Sequence, residues 1–398
     1  MNEMVNLDID EIHREREFLI RSCKVKINGN TIVTPTRTIG VTLSNNFELQ
    51  EAKPLIDSKF RPFGEVYVKV SLSNLAEYIK DDNKGQKFSS KISDRLSQLK
   101  QAGALPYILL SVTDDNGNPL NQLLPPPIQK YIFNLLWGTP GNSIIVTPLL
   151  GVLTNPNDNS KLIEAFYKRQ QDAIDRKNQP IMAIIPASYS LIDPKLIEKY
   201  WNCGVRIFGY NCENKKYGAF GYILENLHDE LSKLSNKSEE KYIINAINSK
   251  YKYGKSKTSR INNLIGTGFG FDTYSPNHVV MKFFSDSAPK RYIFNDSDYG
   301  FLNARELKSL KDPDKLVNST AFKNIDLNDL GEMPDSQLNK ICKSHDIEKT
   351  IKEIANYPNQ IVNENFFEYI SHKEKIQNEK IEIESFHNHT SPLDEWFK

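Results

Sequence analysis

The sequence predicts a (β/α)8 TIM-type barrel with an N-terminal helical extension and an α+β insertion and C-terminal extension after the last strand. Three observations predict it. Eight short apolar runs rich in β-branched residues recur along the chain, and segments of helical period separate most of them. The eighth run, Leu264 to Tyr274, passes through three alternating glycines and delivers Asp272 into a segment that Pro276 keeps from being helical. Runs that are apolar on both faces suit parallel strands buried between helices and a barrel interior. An open doubly wound sheet is the alternative fold.

Residues 1–30 read as an extension. Asp8 to Ser22 mixes Ile9, Ile12, Phe18, Leu19 and Ile20 with charges, which predicts a short amphipathic helix over one barrel mouth. The barrel core is expected over 31–275. Its strands are Thr31–Pro35, Glu65–Val70, Leu105–Val112, Ser143–Thr147, Pro180–Pro186, Gly204–Gly209, Lys241–Ile247 and Leu264–Phe271. Helices are expected at Ser90–Ala102, Pro127–Leu136, Ser160–Arg176, Asp193–Trp201 and Phe220–Leu234. Ser160 and Asp193 stand as N-caps, and Gly204 stops the fourth helix before the next strand. An insertion follows over 276–362. Val279–Phe284 and Lys290–Phe294 read as an antiparallel pair, and helical pieces follow at Ala304–Leu310, Pro334–Cys342 and Ile347–Ala355. A closing helix is expected over 363–385, its helical run spanning Asn363 to Ile383, and a tail over 386–398.

The chain has 398 residues, of which 39% are apolar and 10% aromatic, enough for a large core. Mean hydropathy is −0.52 and no apolar run approaches the ~20 residues a membrane helix needs. The first residues are acidic and lack the apolar region of a signal peptide, and the four cysteines are scattered, so a cytoplasmic protein with reduced thiols is expected. The net charge of +1 does not advertise nucleic-acid binding, so any such signal must be local.

One local signal exists. Between Lys250 and Arg260 lie five cations (Lys250, Lys252, Lys255, Lys257, Arg260) and no acid, with Tyr251 and Tyr253 interleaved. Lysines neutralise phosphates and tyrosines stack on bases; a solvated lysine-rich loop is the bland alternative.

In such barrels chemistry collects at the carboxyl ends of the strands. Those positions hold Asp114 and Asp115 after the third strand, Ser188 and Tyr189 after the fifth, Gly209 at the end of the sixth, and Asp272 and Tyr274 on the eighth. Two separated carboxylates are the minimum for one group to attack while another handles a proton. Each has a plain alternative. The Asp114–Pro119 stretch has the composition of a surface turn, and Asp272 could pair with an arginine. No zinc motif, Walker loop or Gly-x-Ser-x-Gly elbow is present, and Cys342-x-x-His345 is only two ligands, so no metal or cofactor is expected.

The stretches Asn28–Pro35, Gly268–Asp272 and Tyr292–Gly300, with His372 and Glu374 in the closing segment, resemble the tRNA-guanine transglycosylase superfamily, including its DNA-modifying relatives. The resemblance implies a barrel enzyme that exchanges a guanine-type base in tRNA or DNA. In the family an aspartate in a Phe-Asp motif attacks the ribose, and Phe271-Asp272 matches that motif. It implies Asp272 as nucleophile, Asp114 as a proton-handling or base-reading group, Asp115, Ser188, Gly209 and Tyr189 or Tyr274 against the substrate, and a nucleic-acid partner, with a second protein or a homodimer as a further possibility. This chain lacks the family's zinc cysteines. Thr113–Gly117 replaces its Asp-Ser-Gly-Gly-Phe-Gln motif, and Pro186–Ser188 replaces its glutamine-glycine motif. A catalytically inactive barrel that binds nucleic acid or a partner, and an unrelated barrel hydrolase or lyase on a phosphorylated small molecule, are the competing expectations.

Overall fold

The computed structural model describes residues 7–15, 19–57, 60–151, 157–172, 179–187, 189, 193–249, 262–278, 291–310 and 312–390. Three strands come first: β1 (Leu7–Arg14), β2 (Arg21–Ile27) and β3 (Asn30–Val33), paired antiparallel in the order β1-β2-β3. The expected N-terminal helix is therefore a strand hairpin. Leu7, Ile9 and Glu11 are half-buried while Asp8 and Asp10 are exposed, an alternation of period two that suits a sheet with one covered face.

The barrel follows. Its strands are β4 (Thr36–Thr42), β5 (Phe63–Ser71), β6 (Leu105–Thr113), β7 (Ile145–Val146), β8 (Ile181–Pro186), β9 (Ile207–Asn211), β10 (Ile243–Ile247) and β11 (Thr273–Tyr274). All pair in parallel, in the order β6-β5-β4-β11-β10-β9-β8-β7. Parallel bridges Tyr107–Ile144 and Ser111–Leu149 join the two ends of that order and bring the sheet round into a barrel. Two of the expected strands shift. Thr31–Pro35 falls mainly in β3, and the barrel's first strand begins at Thr36. The Leu264–Phe271 run is not a strand at all: Asn262–Ile265 is a helical turn and Gly266–Phe269 a 3-10 turn. Only Thr273 and Tyr274 join the barrel there.

Helices cover the outside: α1 (Phe47–Ala52), α2 (Leu72–Lys80), α3 (Asp82–Gln101), α4 (Pro126–Gly138), α5 (Asp158–Asp172), α6 (Leu196–Asn202) and α7 (Gly221–Ser238). Ser71 and Asp81 cap α2 and α3 through their side-chain oxygens. Val66, Val68 and Val70 of β5 face this helical layer, and Phe63, Glu65 and Tyr67 face inward.

The inner core explains the small sheet. Cys23, Val25, Ile27 and Ile32 cluster with Phe63, Leu105, Ile207 and Ile243, the opening residues of four barrel strands. The sheet is thus a floor under the amino-terminal end of the barrel, leaving the carboxyl end as its mouth.

After β11 come the antiparallel pair β12 (Tyr292–Asn295) and β13 (Gly300–Asn303) and the helices α8 (Asp335–Val362), α9 (Phe366–Ser371) and α10 (Gln377–Thr390). The expected pairing partner Val279–Phe284 lies outside the described residues; among the described residues β12 pairs with β13. The two helical pieces expected within 334–355 are one continuous helix. The expected Asn363–Ile383 helix is broken at His372 and Lys373, and α10 carries on into the segment read as a tail.

Two histidines secure the glycine-rich turn. His228 of α7 meets the Phe269 carbonyl through Nε2 at 3.2 Å. His387 of α10 donates from Nε2 to the Gly268 carbonyl at 2.7 Å and accepts from the Leu19 amide at Nδ1, 3.3 Å. Gly270 sits at φ +78°, and a Cβ there would lie 2.5 Å from the His228 ring. Gly270→Ala should therefore cost on the order of 2 kcal/mol, from left-handed strain and the clash together. Gly29→Ala is the control. It has the same φ of +78° but open space around it, so it should lose only the strain. Urea denaturation of the two variants makes the comparison.

Candidate active site

Asp272 is not at the mouth. It precedes β11, so it lies at the amino-terminal end of the strand, and it shares the outward direction of Tyr274, while Thr273 and Ser275 turn inward. Its carboxylate is 1% exposed and takes a two-point contact from Arg21, with Nε at 3.0 Å and Nη2 at 2.7 Å. The Ile244 amide donates to the same carboxylate at 2.8 Å. Arg21 in turn donates to the Tyr242 carbonyl and lies 4.2 Å over the Tyr242 ring. The reason is local. Because the preceding run coils into turns, the strand starts late and Asp272 falls beside the floor sheet that carries Arg21.

Asp114 lies after β6, at the opposite end of the barrel, so the two carboxylates do not meet. Asp114 is the hinge of a surface turn. Asn118 occupies both its oxygens, from its backbone amide at 2.8 Å and its side chain at 3.0 Å, and Gly117 turns at φ +81°. That hydrogen bonding, the Asn118 side chain first, holds the Asp114 carboxyl below its ordinary range. Asp115 is exposed and accepts weakly from the Ser73 amide, 3.4 Å. Tyr189 is fully buried in the outer core, and Tyr274 is 1% exposed with its hydroxyl on Thr267, so neither is a stacking platform. Gly209 faces inward, where a Cβ would come within 2.8 Å of both Ile184 and Ile247; it relieves crowding rather than receiving a substrate. Ser188 and the cations Lys250, Lys252, Lys255, Lys257 and Arg260 lie outside the described residues.

The polar centre of the barrel is elsewhere. Glu65, fully buried on the inner face of β5, meets two groups: Nε2 of His278 at Oε1, and the Tyr107 hydroxyl, which donates to Oε2 at 3.0 Å. A carboxylate shut away from water requires such partners. Tyr107 continues to Ser275 (2.8 Å) and Asn245 (3.3 Å), and Asn245 to Thr273 (2.9 Å). The imidazole of His278 stacks on Tyr67 with centroids 3.8 Å apart and planes within 3°. Its backbone amide donates to the Asn248 side chain, and Asn277 is tied to Asn214 and Ser249. Together these contacts fix the post-strand segment across the mouth.

His278 also lines a cavity of about 340 Å³ between the barrel rim and the insertion. Arg37, Glu48 and Phe47 come from the barrel side, Phe294 and Phe301 from the hairpin, and Lys343, Asp346, Ile347, Thr350 and Ile354 from one face of α8. Their spacing is that of a single helical stripe. Arg37 ties the halves together: it donates to Thr350 Oγ1 at 2.7 Å and pairs with Glu48. Burial raises the Glu48 carboxyl above its ordinary value, with Arg37 opposing that rise. The cavity thus combines a held imidazole, both signs of charge and aromatic edges, which suits a polar heterocycle with acid–base chemistry at one side.

None of Glu65, Tyr107, Asn245, Ser275 or His278 was among the residues expected from sequence. One signal was available: Glu65 and Asn245 interrupt otherwise apolar strand runs, and a polar side chain at a buried position is the informative exception.

Among the described residues no three potential metal ligands lie together, and both ring nitrogens of His345 are engaged, by Ser319 and the Phe294 carbonyl. No described helix is long and apolar enough to cross a membrane. No protein-family model matches the chain, and no curated protein sequence matches it significantly.

Proposed function

We propose that this barrel exchanges or releases a heterocyclic base of a nucleic acid at its carboxyl mouth, with His278 carrying the proton and Glu65 anchoring it. The observation that carries the reading is the buried Glu65–His278 contact at the wall of the mouth cavity. The resemblance to the tRNA-guanine transglycosylases supplies the substrate class, and the insertion placed after the last strand supports it. In this reading His278 takes a proton from the entering N–H of a base or from water. The bond from ribose C1′ to the old base breaks as the new one forms, and the same proton passes to the departing base. Asp272 then has a structural role. The test is incorporation of labelled guanine into tRNA and into duplex DNA. His278→Gln should reduce it about a hundredfold or more with the circular dichroism spectrum unchanged. A denaturing-gel adduct that a folded Asp272→Asn variant cannot form would overturn this assignment.

The closure of Asp272 by Arg21 favours a second reading, a catalytically inactive barrel that binds nucleic acid or a partner chain. No exchange by wild type, combined with salt-sensitive binding to tRNA or DNA, would decide for it.

A further inference from the structure

The groups behind His278 form a chain with a direction. We propose that Tyr107, Asn245 and Thr273 are positioning residues that act through Glu65 to hold His278 in its Nε2–H form, leaving Nδ1 as the acceptor at the mouth. This deepens the reading of His278 as the reacting group and rests on it.

The direction follows from counting donors. Thr273 Oγ1 donates to Asn245 Oδ1 at 2.9 Å, which fixes the orientation of the amide. Asn245 Nδ2 then has two oxygen acceptors for its two hydrogens, Ser275 Oγ (3.0 Å) and the Tyr107 oxygen (3.3 Å), with the Met182 sulfur farther off at 3.9 Å. With its oxygen receiving that hydrogen, the phenol directs its own at Glu65 Oε2, 3.0 Å away. Burial, and next the Glu65 charge, push the Tyr107 phenol far above its ordinary value, so it remains a donor. Each step therefore delivers a hydrogen toward Glu65, and the carboxylate is the acceptor at the end. Glu65 stands at the receiving end of this chain, so in the proposal the imidazole nitrogen on Oε1 brings its own hydrogen. That nitrogen is Nε2. Among the described residues Nδ1 meets no hydrogen-bond partner.

The test is nitrogen NMR of histidine-labelled protein near pH 8, with His278 assigned by its absence in His278→Gln. The wild type should show a protonated Nε2 and a bare Nδ1. Tyr107→Phe keeps the ring that packs edge-on against Phe63 and removes only the hydroxyl. Losing that donor leaves Glu65 buried on one partner, which favours a protonated carboxyl able to return its hydrogen to Nε2, so the two nitrogens should move toward a common, averaged shift. Glu65→Gln should reverse the pattern, because a Gln amide can donate to Nε2 and place the proton on Nδ1. A wild-type protein with the proton on Nδ1 overturns the proposal. So does an unchanged pattern in Tyr107→Phe, since a packing role would leave the tautomer alone. If Tyr107→Phe does not fold, the near-isosteric Thr273→Val decides by the same criterion. The measurement needs no substrate, so base exchange and the tautomer can fail separately.

Discussion

Arg21→Met is expected to lower the free energy of unfolding by about 3–5 kcal/mol. The size follows from what is left behind. Arg21 and Asp272 have side chains only 3% and 1% exposed, so removing the cation strands an uncompensated carboxylate in the protein interior. The contact is bidentate, and Arg21 also supplies the Tyr242 carbonyl with a donor and covers the Tyr242 ring, so three attachments disappear together. Replacing both partners at once, as Arg21→Met with Asp272→Leu, should recover most of the loss, because an apolar pair of similar volume carries no desolvation penalty. Urea denaturation of both variants measures the difference. A double variant no more stable than the single would show that the arginine acts by packing alone.

Acidification from pH 7 to pH 5 should weaken the closure of the barrel. Burial, with Arg21 next, lowers His228 to about 3, and burial lowers His387 to about 4. Both folded values lie below the ordinary 6.5, so each imidazole binds its proton more readily in the unfolded chain. Stability from these groups is complete above pH 6.5 and is lost as pH falls toward their folded values. At pH 5 the loss is about 2 kcal/mol for each, about 4 kcal/mol together. The structural reason is visible at His387, whose Nδ1 accepts from Leu19 and cannot do so once protonated. Arg14 adds to the repulsion of a charged His228. Burial raises Glu15 and Glu379, which works in the opposite direction, so the informative quantity is a difference. His387→Gln should flatten the slope of unfolding free energy against pH between 5 and 6.5 by about one proton. An unchanged slope would exclude His387 as a source.

The barrel was legible because its strands are buried on two faces. Leu105–Thr113 is buried at every position, and such a run reads as a parallel strand whatever surrounds it. The floor sheet was not legible because Ile12, Leu19 and Ile20 fit a helical stripe as well as an edge strand. Leu264–Phe271 misled for a related reason, since a short apolar run carries no period of its own. Its late strand start reassigns Asp272. The site was hidden by distance along the chain: Glu65 and His278 are separated by 213 residues and meet only because the sheet closes. What the sequence did show was the oddity of each residue singly, a carboxylate in a valine-rich run and a histidine after a strand.

The floor under the barrel has a consequence for how the molecule is made. Arg21 waits for Asp272, which lies 251 positions later, and the Leu19 amide waits for His387, 368 positions later. A nascent chain emerging from the ribosome therefore presents its first hairpin long before the groups that seat it exist. Contacts of such high sequence separation slow folding, because the chain must be closed into large loops before they form. Assembly of the barrel is in this sense a late event: its first strands become secure only when α10 arrives.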